Sequence, residues 1–76
     1  NAVVSPMVGT AYLTPEPGAA AFAKAGDRVS EGQTLLIIEA MKTMNQIAAP
    51  RSGTVTAIFF DNSQPVEYGE TLIIIE

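Results

Sequence analysis

Two segments of this chain are each written twice. Val29–Glu39 (VSEGQTLLIIE) recurs as Val66–Glu76 (VEYGETLIIIE), with seven of eleven positions identical at an offset of 37 residues. Ser5–Thr10 (SPMVGT) recurs as Ala49–Thr54 (APRSGT), where Pro, Gly and Thr match at an offset of 44. The two offsets differ by seven residues, so the first copy carries a seven-residue insertion between Thr10 and Val29. A doubled sequence means two copies of one supersecondary unit, and two are too few for a solenoid. In 76 residues there is room for a single domain only. The expectation is one domain spanning 1–76, its two units packed face to face about a pseudo-twofold axis.

Each unit reads as β. Leu35–Ile38 and Leu72–Ile75 are short apolar runs, rich in β-branched residues and bounded by turn formers. Thr54–Phe60 is similarly suited to a pleated surface. Gly32 and Gly69 hold equivalent places before a strand, which predicts positive-φ turns and no binding role. Pro6, Pro50 and Pro65 are placed at strand starts, where a missing N–H is tolerated. Ala19–Lys24 offers at most a turn or two of helix, ended by Gly26. The predicted fold is all-β, a flattened barrel or small sandwich of about eight short strands.

Composition removes several chemistries. The chain has no Cys and no His, which excludes disulfides, thiolate or imidazole metal ligands, and catalysis built on either side chain. No catalytic residue and no metal site is assigned. Net charge is −4, and Lys24, Arg28, Lys42 and Arg51 are scattered, which argues against nucleic-acid binding. No apolar run reaches the roughly 18 residues of a membrane span, and no signal peptide is visible. The chain opens on Asn1 rather than Met. It therefore reads as an excised domain, with any linker or targeting segment outside it.

One residue stands out by position. The first copy closes at Glu39 and the second opens near Asn45, so Ala40-Met41-Lys42-Thr43 reads as a hairpin between them. Tight hairpins favour Asn-Gly or Gly-X at their centre, and Met41-Lys42 breaks that rule. A local rule broken without visible compensation points to function. A lysine at a hairpin tip presents an accessible amine. An ordinary solvated charge is the competing reading, with Met41 and Met44 as core filling. Lys24, among alanines inside the repeat, serves as a control with no methionine neighbours.

Glu39-Ala40-Met41-Lys42-Thr43-Met44 resembles the attachment motif of biotinyl domains, an Ala-Met-Lys core followed closely by Met. The likeness extends over the whole chain, through Ser5–Thr10 and Ser52–Thr54, and is greatest to the carriers of multi-subunit acetyl-CoA carboxylases. Thr43 departs from the usual Met or Leu. The resemblance implies a barrel of two related four-stranded halves, with biotin on Lys42 through an amide. It implies a non-catalytic carrier that shuttles carboxyl groups from biotin carboxylase to carboxyltransferase, after loading by a biotin protein ligase. Thr14–Ala21 (TPEPGAAA) looks like the "thumb" those carriers insert, and its place matches the seven-residue excess. By the same resemblance Thr14, Pro15, Glu16 and Pro17 approach the biotin. The implied compartment is bacterial cytoplasm, or a plastid after transit-peptide removal. A lipoyl carrier shares the folding logic, but acidic and small residues usually replace the methionines there. Biotinyl domains of decarboxylases and other carboxylases generally lack the thumb.

Overall fold

The computed structural model describes residues 1–76. It contains eight strands and no helix: β1 (Ala2–Val4), β2 (Gly9–Tyr12), β3 (Arg28–Val29), β4 (Thr34–Ala40), β5 (Thr43–Ala48), β6 (Gly53–Ile58), β7 (Gln64–Val66) and β8 (Thr71–Ile75). They form two four-stranded sheets, ordered β1-β8-β6-β3 and β5-β4-β2-β7. Every strand pairing is antiparallel.

The repeat offsets explain the topology. A shift of 44 carries β1 onto β5 and β2 onto β6; a shift of 37 carries β3 onto β7 and β4 onto β8. Applied to the first sheet, this exchange returns the strand order of the second. The pseudo-twofold is therefore real, but the two copies do not pack as separate units. Each sheet takes two strands from each copy, so the halves interlock rather than meeting face to face. The reason is pairing: β1 and β3 of the first copy hydrogen-bond to β8 and β6 of the second.

The sheets enclose a core of Leu35, Leu36, Ile38, Leu72, Ile73 and Ile75, joined by Val29, Val55 and Val66. Leu35 and Leu36 are both buried because the β4–β5 register slips between Thr34 and Leu36. Gly32 and Gly69 have φ of 88° and 82°, as their shared place in the repeat requires. Pro6 and Pro50 lie in the bends before β2 and β6, and Pro65 lies inside β7, an edge strand. Ala19–Lys24 forms no helix. Six residues are too few to sustain one unaided, and the segment instead anchors through the Phe22 N–H to the Leu13 carbonyl at 2.8 Å. No helix is long and apolar enough to cross a membrane, and no group of three acidic, Cys or His side chains is placed to hold a metal ion.

The first sheet starts β1 beside the C-terminal residues, the Ile75 N–H reaching the Asn1 carbonyl at 2.9 Å. β1 runs away from that end, and the chain crosses to begin β2 opposite Glu39, at the foot of the β4–β5 hairpin. Both termini thus lie at the end away from Lys42, as expected. The hairpin does not sit on the axis, however. The pseudo-twofold exchanges it with the two termini, and that exchange is what separates them.

Candidate functional site

Ala40 pairs with Thr43 and leaves Met41 and Lys42 as a two-residue loop. Both have positive φ, 51° and 66°, the signature of a type I′ turn. That turn matches the right-handed twist of the strands it joins. For residues with a Cβ the left-handed region costs roughly 1–2 kcal/mol each. The tension read in the sequence is thus present in the backbone. Met41 is 97% exposed and Lys42 is also exposed, so neither contributes to the core. Met41→Asn, which suits the first turn position, is expected to raise stability by about 1 kcal/mol, read as a higher melting temperature.

The thumb and the hairpin face each other across a concavity of about 420 Å³. Thr14, Pro15, Glu16 and Pro17 line one side; Glu39 and Met44, from the feet of the hairpin, line another. Met44 is half-exposed in this concavity, so it too does not fill the core. The structure thus brings together the thumb and two of the attachment-motif flanks, while Lys42 stands just beyond them at the tip. Ala40 and Thr43 form the closing pair of the hairpin and do not face the concavity.

Tyr12, Asn62 and Ser63 complete the lining and were not singled out from the sequence. Asn62 Oδ1 accepts the Leu13 N–H at 2.6 Å, fixing the thumb's base to the loop before β7. Ser63 has φ of 69°, whereas its counterpart in the first copy, 37 residues earlier, is Gly26. Their N–H groups make equivalent bonds, Ser63 to the Ala11 carbonyl and Gly26 to that of Val55. A Ser where the repeat otherwise places Gly was a readable signal for this side of the site.

The Tyr12 hydroxyl donates to Glu39 Oε1 at 3.1 Å. That hydrogen bond, then desolvation and the Glu39 charge, raises the phenol above its ordinary value of 10.0. The folded state therefore holds this proton more tightly. The associated stability is complete below the unfolded phenol's pKa and is lost as pH rises through the folded one, so neutral pH is unaffected. Glu39→Ala should bring the Tyr12 titration down toward the ordinary value. Phenolate absorbance in a Tyr68→Phe background, where Tyr12 is the sole tyrosine, reads it directly.

A small doubled barrel with an exposed lysine on a strained tip, far from both termini, is the architecture of a domain that bears a prosthetic group. The chain belongs to the biotin-requiring enzyme family, whose model matches residues 1–75. It is 54% identical, over 97% of its length, to the biotin carboxyl carrier protein of acetyl-CoA carboxylase from a Nostoc species, and covers 41% of that protein. The protein of the same description from Haemophilus influenzae is 50% identical over 97% of the chain, which covers 48% of it. A chloroplastic counterpart from Arabidopsis thaliana is 46% identical over 93% of the chain, which covers 28% of it. The chain therefore spans less than half the length of each of these relatives. Among solved structures, Kluyveromyces lactis urea carboxylase matches all of the chain over 6% of its own, with TM-score 0.82 and 32% identity. The group that the family's description names is biotin. The site fits such a group, because its one tip amine lies outside the barrel with no fold contact to surrender.

Proposed function

We propose that Lys42 carries biotin through an amide, and that this domain serves as the carboxyl carrier of an acetyl-CoA carboxylase. On this reading it serves a biotin carboxylase and a carboxyltransferase in turn, toward malonyl-CoA. The observation that carries the reading is the exposed Met41–Lys42 turn, with both residues at positive φ, at the end away from both termini. When bound, biotin supplies a ureido nitrogen that takes up and gives off a carboxyl group.

The chain's own residues attach, present and steady that group. In attachment by a biotin protein ligase, the free Lys42 Nζ attacks the acyl carbon of biotinyl adenylate. The C–N bond forms, the C–O bond to AMP breaks, and the amine's surplus proton leaves to solvent. The resting ammonium has already lost one proton to become that amine, so the amide carries no lysine charge. The β4–β5 pairing then holds the attachment point at a fixed place. Tethering replaces bimolecular delivery with an intramolecular encounter at high effective concentration. The thumb, anchored at Asn62, gives the group a resting surface beside Glu39 and Met44. Bacterial cytoplasm, or a plastid, is the compartment in which such a system would work.

Avidin-shift and peptide mapping of natively expressed protein test the attachment, and biotin found on Lys24 would end this reading. The thumb supplies a second test. Replacing Thr14–Ala21 by a short Gly-Ser turn is expected to leave biotin incorporation intact. It should lower acetyl-CoA carboxylation in the reconstituted enzyme by about tenfold, on the scale of one lost positioning contact of roughly 1.4 kcal/mol. Undiminished carboxylation would make the thumb an inert loop.

A further inference from the structure

The pseudo-twofold gives every residue near Lys42 a counterpart at the opposite end, in the same local fold but without a lysine tip. At the Lys42 end the strands β5, β4, β2 and β7 lie abreast, about 4.8 Å apart. Above them stand the Met41–Lys42 turn, then Val8 just before β2, then the Glu67–Glu70 turn after β7. Three large apolar residues project here: Met41, Val8 at 61% exposure and Tyr68 at 76%.

Their counterparts differ in kind. Ser52 stands 44 residues after Val8, and Glu31 stands 37 before Tyr68. At that end the Ser52 Oγ accepts the Glu31 N–H at 2.9 Å. Val8 offers no side-chain acceptor to the Tyr68 N–H, so the Lys42 end has given up a hydrogen bond the fold otherwise makes. Isolated exposed apolar side chains need no explanation. An apolar set at one end of a symmetric scaffold, replacing a polar pair that bonds at the other, does. The fold does not require it, since the fold is satisfied by Ser and Glu.

We propose that Val8, Tyr68 and Met41 form an apolar collar on which the enzyme that acylates Lys42 docks. This rests on Lys42 being the biotinylated residue. Reach selects the partner. A bare lysine offers only four methylenes and an amine, and it stands on a two-residue turn. An enzyme acting on that amine must bring its surface down onto the neighbouring strand ends, which are Val8 and the Tyr68 turn. After acylation the arm is much longer, and later active centres work at a greater remove. The exposed carboxylates of Glu39 and Glu67 flank the collar, so the enzyme's complementary face is apolar with cationic groups at its edge.

The repeat supplies the test variants, because each end already shows which residues the other tolerates. Val8→Ser with Tyr68→Glu installs the opposite end's pair at the Lys42 end; Ser52→Val with Glu31→Tyr makes the mirror change. With a bacterial biotin protein ligase, biotin and ATP, the first variant should lose about tenfold or more in kcat/KM, chiefly through KM, or roughly 1.4 kcal/mol. The mirror variant should match wild type, and thermal unfolding should show both folded. Acylation of the first variant at the wild-type kcat/KM overturns the proposal. So does an equal loss in the mirror variant, or a loss confined to later carboxylation. Wild-type chain acylated at another lysine, by peptide mapping, overturns the Lys42 assignment itself.

Discussion

Lys42→Arg is expected to abolish biotin incorporation while leaving the melting temperature within about 2 °C of wild type, as for an exposed substitution of under roughly 0.5 kcal/mol. The change is conservative for the fold. Arginine keeps the positive charge and the aliphatic stem, and it meets the same left-handed backbone cost at φ of 66°. It is decisive for the chemistry, because a guanidinium stays protonated and does not acylate as an amine does. The only other lysine is Lys24. It lies in irregular chain before the turn at Ala25–Gly26, its N–H taken by Asp27 Oδ2 at 3.0 Å. No strand pair presents it, so it offers no substitute site. Intact mass and an avidin shift give the incorporation; a thermal melt gives the fold. Residual biotin on the Lys42→Arg protein would place the attachment elsewhere.

Gly9→Ala is expected to destabilise the domain by about 3 kcal/mol, the scale of an overpacked site. A Cβ at Gly9 would stand 2.5 Å from the Glu39 carbonyl oxygen and 2.6 Å from Ile38 Cγ2. Rotation of a side chain cannot relieve a clash with backbone, so β4 must move from β2 just below the lysine hairpin. For a domain this small the shift in melting temperature is about 15 °C. Gly53 holds the equivalent place in the second copy, with a Cβ position 2.7 Å from Ile75 Cγ2 and 2.8 Å from the Glu76 carbonyl oxygen. There the nearest contact is a side-chain methyl, and the backbone oxygen stands 2.8 Å away rather than 2.5 Å, so Gly53→Ala should cost less. Denaturant melts of the two variants side by side test both the size and the order. A Gly9→Ala protein that melts with wild type would show that the sheets have slack at this contact.

The duplication made the fold legible, because each strand of one copy vouches for its partner in the other. Leu35–Ile38 and Leu72–Ile75 are ambiguous as isolated apolar runs, yet as equivalents before which Gly32 and Gly69 both turn they read as strands. The interlocking of the copies was not legible. A repeat states which segments are alike, and says nothing of whether β1 pairs within its own copy or with β8 of the other. Lys42 was readable as a breach of turn chemistry, and its positive φ shows what the breach consists of. The far wall of the concavity was missed because Tyr12, Asn62 and Ser63 come from three separated places with no common motif. Ile37 shows the same limit. It is buried on the thumb side opposite Tyr12, while its counterpart Ile74, opposite Ala2, remains half-buried.

The exchange of strands between copies bears on where such a scaffold is free to vary. A polypeptide with one copy closes neither sheet; only two such polypeptides, trading arms, would complete both. Head-to-tail fusion of that pair needs just one new link, from the end of one partner to the start of the other, and the Met41–Lys42 turn is that link. Lys42 therefore stands on the link between the copies, and a residue there can specialise without a twin that must change in step.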